Sequence, residues 1–322
     1  MLSRRSVRVK VMQFLYAMDR DVDLNATVVT KSYAERINIS FELLLFNIYI
    51  LREITRLSID DKRKRKAKHL PTDLDKIFTT KLFKNDVVQF LVNDNYLNSK
   101  VDKFGFADKL DKDYFKKLYT EFAATEPYAV FIRQEESNIE NSVEILLELF
   151  RFCRQSEFYN DVIEDHYSAW IDDKSLVIGA TKKILKSLPS LDRDVLSTYF
   201  PDDETVNEYG AELLARTIQE KELLIEIIKP MLKNWDHERL AVIDTILLNM
   251  AVCEFLFFES IPTKVTLNEY VDISKEYSTP KSKEFINGVL DQVLKKLDTE
   301  GKIKKKGSKV RKPTKNLPTL KV

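Results

Sequence analysis

Apolar residues recur at helical spacing along most of the chain. The first predicted helix covers residues 5–18, because its apolar side chains repeat every three or four positions and so share one face. These side chains are Val7, Val11, Phe14, Leu15 and Met18. At about 100° per residue, arginines and Tyr16 fall along the neighbouring flank. The pattern predicts a helix whose apolar core face lies beside a basic and aromatic flank.

Further helices are predicted in the middle of the chain, over residues 33–59, 73–97, 108–123, 138–166 and 173–187. After the first of these, Asp60 and Asp61 are followed by six cations within Lys62–Lys68 and then by Pro71. This break in the apolar period is interpreted as a solvated, charged loop. The chain has only 6 glycines and 9 prolines, which favours long helices over a sheet with many turns. The predicted fold class is all-α.

The C-terminal third has the clearest apolar pattern, which predicts helices over residues 204–229, 237–258, 264–277 and 281–297. In the last of these, one face carries Ile286, Val289, Leu290, Val293 and Leu297. Gly288 lies inside the same helix, where a glycine costs about 1 kcal/mol relative to alanine. We expect that a neighbouring helix or a ligand comes close to the backbone at Gly288, which would explain a glycine at this position.

The charge of the chain is unevenly distributed, although its formal net charge is +1. The segment 301–322 holds nine lysines or arginines and no acid, which leaves a net charge of −8 on residues 1–300. Such a segment cannot bury a core, so it is predicted to be a disordered tail that adds non-specific affinity for RNA. Residues 1–300 are interpreted as one helical body, for which the 44% apolar content is sufficient.

Residue patterns typical of catalysis or of metal binding are absent from the sequence. The three histidines lack ligand spacing, the two cysteines lie 100 residues apart, and no glycine-rich phosphate loop is present. Cys253 is interpreted as a small core residue. We therefore expect no enzymatic activity, no cofactor and no metal ion. No apolar run reaches a membrane span of about 18 residues and no signal peptide is visible, so a reduced, cytoplasmic location is expected.

Two blocks of the sequence carry a family resemblance. They are RRSVRVKVMQFLY at 4–16 and a C-terminal block with IPTKV at 261–265, NE at 268–269 and SKEFINGVLD at 282–291. In this order they resemble the NusB transcription-antitermination family, over residues 1–20 and 204–297. Residues 21–203 form an expanded middle without an aligned motif. Ser6, Lys281 and Glu284 depart from the family pattern.

The resemblance implies a bacterial, cytoplasmic, helical RNA-binding protein rather than an enzyme. Its implied partners are single-stranded RNA of the boxA type, the ribosomal protein NusE and, indirectly, the RNA polymerase elongation complex; a homodimer is left open. The implied role is to suppress premature termination of ribosomal RNA transcription. Family RNA contacts transfer to Arg4, Arg5, Arg8, Gln13, Tyr16, Ser282, Phe285 and Asn287.

The chemistry of these residues suits single-stranded RNA. Arginines contact phosphates, and an aromatic ring that stacks on an unpaired base contributes about 1–3 kcal/mol. A surface arginine is nevertheless most often only solvated, and Tyr16 and Phe285 are equally compatible with core packing. Two other functions remain open: a non-catalytic protein-interaction module, and an RNA-binding domain related to those fused to ribosomal RNA methyltransferases but without the catalytic part.

Overall fold

The computed structural model describes residues 3–135, 138–190, 195–199, 202–232 and 240–305. Within these ranges all regular structure is helical and no strand occurs, which confirms the all-α prediction. None of the helices described is long and apolar enough to cross a membrane. Contacts between residues divide the chain into two units, where the sequence was interpreted as one body. Unit 1 comprises Met1–Ser3 and Ala34–Val206, and unit 2 comprises Arg4–Tyr33 and Asn207–Val322.

The α-helices of the described residues are numbered here in chain order. They are α1 (Arg4–Arg20), α2 (Ala26–Arg56), α3 (Ser58–Lys66), α4 (Asp73–Ile77), α5 (Lys81–Lys84), α6 (Asp86–Asn93), α7 (Asn95–Phe104), α8 (Phe106–Lys109), α9 (Lys112–Ala123), α10 (Glu126–Arg133), α11 (Ile139–Gln155), α12 (Glu157–His166), α13 (Trp170–Ser187), α14 (Glu212–Gln219), α15 (Lys221–Ile228), α16 (Val242–Phe257), α17 (Thr263–Tyr277) and α18 (Ser282–Thr299). Short 3-10 helices occupy Ser197–Tyr199 and Lys229–Leu232, and a π-helix occupies Glu204–Ala211.

The core of unit 1 is built around α2. No residue from Leu43 to Leu51 is more than 5% exposed, which is the behaviour of a helix that is apolar on all sides. Asn47 lies inside this run with its amide satisfied, because it donates to Leu43 O at 2.8 Å and accepts from the Tyr159 hydroxyl at 2.5 Å. A buried amide is tolerated only when it is hydrogen-bonded in this way.

Several long helices predicted in unit 1 are divided into shorter ones. The predicted helix at 73–97 is four short helices, and the one at 138–166 ends and restarts at Ser156. The restarts at α6 and α7 have capping side chains: the backbone N–H of Val88 donates to Asn85 Oδ1 at 3.0 Å and that of Leu97 to Asp94 Oδ1 at 2.6 Å. The apolar period continues across these caps, so periodicity alone did not reveal the breaks.

The predicted charged loop after residue 60 is wrong, because Ser58–Lys66 forms helix α3. Asp60 and Asp61 occupy its first turn and four cations its last, which is the distribution that the helix dipole favours. Arg65 Nε also donates to Asp61 Oδ2 at 3.0 Å, four residues away along the helix. Helix α3 has almost no apolar face, so it is stabilised mainly by electrostatic interactions.

The core of unit 2 is built around α16, which contacts α1, α14, α15, α17 and α18. The apolar face predicted for the last helix is confirmed, since all five of its side chains are at most 4% exposed. Cys253 is fully buried, as predicted, and burial raises the pKa of its thiol to about 12. Residues 306–322 of the predicted tail lie outside the described residues. Within 301–305, Lys305 Nζ donates to the carbonyl oxygens of Glu254 and Phe258 at 2.8 and 2.7 Å.

Candidate functional site

Arg8, the third arginine of α1, lies in the interior of unit 2. Its side chain is 3% exposed and donates from Nε and Nη2 to the two carboxylate oxygens of Glu254, at 2.7 and 3.0 Å. This is the bidentate geometry in which arginine pairs most strongly with a carboxylate. Burial alone would lower the pKa of Arg8, but the hydrogen bonds and charge of Glu254 outweigh it and raise that pKa above its ordinary value.

Glu254 is the centre of this buried cluster. Besides Arg8 it accepts hydrogen bonds from the hydroxyls of Tyr209, Tyr270 and Thr266 at 2.6, 2.7 and 2.9 Å. Burial, together with the negative charge of Glu254, raises the pKa of both tyrosines well above the usual range. The cluster joins α1 to the π-helix, α16 and α17, and so fixes the arginine-rich helix on the C-terminal helices.

The other two arginines lie closer to the surface. Arg5 is 36% exposed and pairs with Glu276 at 2.9 Å and Asp272 at 3.6 Å, both on α17. The guanidinium of Arg4 lies over the ring of Tyr209, 5.5 Å from its centroid. The basic flank predicted for the first helix is thus partly neutralised by acids of α17, which the family resemblance did not indicate.

The aromatic and polar members of α1 divide between surface and interior. Tyr16 is 39% exposed, and Arg20 lies over its ring at 5.3 Å from the centroid. Gln13 is half-buried. Because Tyr16 follows Arg5 by eleven residues, and thus by about three helical turns, the two side chains share one stripe of α1. This stripe, with Arg4 at its start, is the exposed part of the predicted site on α1.

The C-terminal members of the predicted site are mostly buried. Ser282 is 1% exposed and donates to Asp244 Oδ2 at 2.7 Å, which ties the start of α18 to α16. Phe285 is 8% exposed, whereas Asn287 is exposed. A Cβ added to Gly288 would meet nothing within 4 Å, so the neighbouring-helix explanation for this glycine is wrong.

Sequence reasoning missed the acidic side of this arrangement. Glu254, Asp272 and Glu276 were not singled out as candidate residues. A signal did exist for Glu254: a carboxylate inside a helix that is apolar all round must find a cation or donors nearby. Its partner Arg8 is 246 residues away in the chain, a separation that no local pattern bridges.

Two features of the described residues concern metal binding and thiol reactivity. These residues contain no group of three or more histidine, cysteine, aspartate or glutamate side chains suited to a metal ion. Both cysteines are buried, and burial raises the pKa of each thiol, which opposes formation of the thiolate nucleophile. The candidate site consists of the charged, polar and aromatic groups described above.

The described residues define an all-α protein in which a basic N-terminal helix is held against a C-terminal helical core. Residues 174–295 match the family model described as NusB family, so the chain contains a NusB-family domain. The matched range includes the C-terminal block that carried the resemblance. It starts within α13 and does not include α1.

Curated relatives carry the name transcription antitermination protein NusB. The protein of Salinibacter ruber is 40% identical over 106 residues, which are 33% of this chain and 66% of the relative. Those of Natranaerobius thermophilus and Finegoldia magna are 38% and 40% identical over 91 and 89 residues, 28% of this chain in each case, and 66% and 65% of the relatives. The chain thus spans just under two thirds of the length of these relatives. No solved structure matches it.

Proposed function

We propose that this protein is an RNA-binding transcription antitermination factor. It binds single-stranded leader RNA of the boxA type together with the ribosomal protein NusE, and acts indirectly on the RNA polymerase elongation complex during ribosomal RNA transcription. The observation that carries the proposal is the attachment of the arginine-rich α1 to the NusB-family domain through Arg8 and Glu254. It supports a common role for the two sequence blocks.

Within this proposal the three arginines have different roles. Arg4 and Arg5 contact RNA phosphates, since both lie near the surface at the start of α1. Arg8 is enclosed, so it acts as a positioning residue that holds α1 in place. Phosphate contacts fix the register of the RNA without reading its sequence.

Base recognition falls to the polar and aromatic residues that remain accessible. Tyr16 offers a ring for stacking and Asn287 an amide that both donates and accepts. The open space at Gly288 leaves room for a ligand backbone beside Asn287. Phe285 and Ser282 are buried and Gln13 is half-buried, so truncation of Phe285 is expected to cost stability as well as affinity.

The test is equilibrium binding of boxA-type RNA to the full chain over a series of salt concentrations, with and without the NusE homologue. The variant is Arg4→Gln/Arg5→Gln. The control is Arg133→Gln/Arg151→Gln, which removes two exposed arginines of unit 1, each paired with a glutamate. We expect NusE to strengthen binding, and the variant to weaken it and to flatten the salt slope by about 0.7 for each lost phosphate contact.

Equal behaviour of variant and control would reject the proposed site on α1. If the chain also binds NusE or another protein but no RNA, the protein-interaction module considered from the sequence becomes the better description.

A further inference from the structure

Helix α3 of unit 1 and the residues after it carry the densest run of positive charge in the described chain. Six of the seven residues from Lys62 to Lys68 are lysine or arginine, and none is acidic. This segment lies outside the matched NusB range and outside the proposed site on α1.

Two of these cations are used to build the local structure. Arg65 Nη1 lies 2.8 Å from Asp75 Oδ1, and Lys68 Nζ lies 2.9 Å from Asp75 Oδ2. The Asp75 side chain is fully enclosed, and its carboxylate also accepts the backbone N–H of Thr72 at 2.9 Å as part of a capping box. These interactions fix α3 against α4 and account for Arg65 and Lys68.

The remaining cations have no comparable structural use. Lys62, Lys64 and Lys66 have no carboxylate within 4.0 Å among the described residues, and Lys64 and Lys66 are exposed. Arg63 is 78% exposed and only makes an exposed pair with Asp60 at 3.3 Å. Around the axis of α3, Lys66 lies about 40° from Lys62, Arg63 about 100° and Lys64 about 200°, so the four cations spread over about half of the helix circumference.

The helix dipole favours the cations of the last turn of α3, but it does not account for Lys62, which precedes that turn. Cations in a last turn interact favourably with the helix dipole, by about 0.3–1 kcal/mol each, but like charges four residues apart are destabilising by about 0.2–0.5 kcal/mol. Lys62 and Lys66 are such a pair, and further cations stand beside them. Cations that repel one another and lack acidic partners are best satisfied by an external polyanion.

Neighbouring elements extend the same charge. Helix α5, which packs against α3, contributes the exposed Lys84, and the end of α2 contributes Arg56, whose side chain is half exposed and pairs with Glu53 at 3.4 Å. The exposed face of α3 carries no apolar stripe of the kind that inserts into a membrane surface. Lysine acts as a point charge that contacts phosphate without selecting a base.

We propose that Lys62, Arg63, Lys64 and Lys66 form a second RNA-binding surface, which holds the phosphate backbone of single-stranded RNA without regard to sequence. The expanded part of the chain then supplies general affinity for the transcript. This surface is independent of base recognition by the proposed site on α1.

The experiment compares full-length variants by fluorescence anisotropy with a 20-nucleotide single-stranded RNA that lacks a boxA element. The test variant is Lys62→Gln/Lys64→Gln/Lys66→Gln. The matched control is Lys182→Gln/Lys183→Gln/Lys186→Gln on α13, three exposed lysines of the same unit that also lack a carboxylate partner among the described residues. Circular dichroism melting verifies that each variant is folded.

We expect the α3 variant to bind this RNA at least about tenfold more weakly near 0.1 M salt and to lose about 2 from the salt slope, as three single-strand phosphate contacts require. The control should change affinity by less than about twofold. Equal losses of RNA affinity in both variants would overturn the proposal, because they would show that binding depends only on the total charge of the protein.

Two further arms separate this proposal from others. The α3 variant should lose affinity for boxA RNA and for scrambled RNA by the same factor. If the proposed site on α1 is wrong, the unmodified chain should instead bind boxA RNA no better than scrambled RNA. Loss of binding to anionic phospholipid vesicles, with unchanged RNA affinity, would assign the surface to a membrane and overturn the RNA proposal.

Discussion

The Arg8 guanidinium and the Glu254 carboxylate form a bidentate pair in the interior of unit 2, with N–O distances of 2.7 and 3.0 Å. The pair joins the first helix of the chain to a helix of the NusB-family domain. Because three hydroxyl groups also donate to Glu254, the carboxylate is fully hydrogen-bonded. Such a pair is costly to break from one side.

Replacement of Glu254 by glutamine is expected to destabilise the protein by about 3–5 kcal/mol, because it leaves the charge of Arg8 buried without a partner. Urea unfolding followed by circular dichroism measures the change. Glu148→Gln is the control: it breaks the exposed pair of Glu148 with Arg151 and should cost less than about 1 kcal/mol. Similar losses in the two variants would contradict the central role of Glu254.

The same cluster predicts a loss of stability in alkaline solution. The pKa of Tyr209 and of Tyr270 is raised in the folded protein, whereas in the unfolded chain it is about 10. The contribution of these two hydroxyls to the free energy of unfolding is therefore fully present below about pH 10, and it is lost as the pH rises towards their pKa in the folded protein. Melting temperatures between about pH 8 and 11 should fall above pH 10, and less steeply in Tyr270→Phe. An equal fall in that variant would assign the effect to other groups.

Gly210→Ala tests the packing of the π-helix against the N-terminal segment of unit 2. A Cβ at this position would overlap the Tyr33 hydroxyl and the Val7 side chain. Overpacking of this kind costs about 1–3 kcal/mol, and occasionally more.

Gly179→Ala on α13 is its counterpart, since a Cβ there meets nothing within 4 Å. It should stabilise the helix by up to about 1 kcal/mol. Chemical denaturation of both variants measures whether the free energy of unfolding falls or rises. An unchanged free energy of unfolding in Gly210→Ala would show that Tyr33 moves aside at no cost.

Removal of the acids that hold Arg5 is expected to increase RNA affinity. In Asp272→Asn/Glu276→Gln the guanidinium of Arg5 is released, and two negative charges beside the proposed phosphate path are lost. An exposed pair is worth up to about 1 kcal/mol, which corresponds to a gain of about two- to fivefold.

The control for that gain is Glu212→Gln/Glu300→Gln, which breaks two ion pairs elsewhere in unit 2. Filter binding of boxA-type RNA at low salt gives the comparison. If the Asp272/Glu276 variant binds no better than this control, Arg5 does not contact the RNA.

Prediction from the sequence succeeded where a feature depends on local periodicity. The apolar face of α18, from Ile286 to Leu297, and the helices at both ends of the chain follow from residue spacing alone. It failed at α10, which lies between the helices predicted at 108–123 and 138–166: Pro127 stands in the first turn of α10, a position that proline favours. Caps such as Asn85 and Asp94 were also overlooked, because they do not interrupt the apolar pattern.

The sequence by itself determined the all-α class, the faces of the terminal helices and the chemical character of the arginine-rich segment. Tertiary structure decided which of these cations meet solvent: Arg8 is buried against Glu254, Arg5 is paired on α17, and Lys62–Lys66 lie on a helix instead of a loop. The physical reason is that spacing along a chain depends on neighbours within one or two turns. The partner of a charge, by contrast, is chosen by packing between segments hundreds of residues apart.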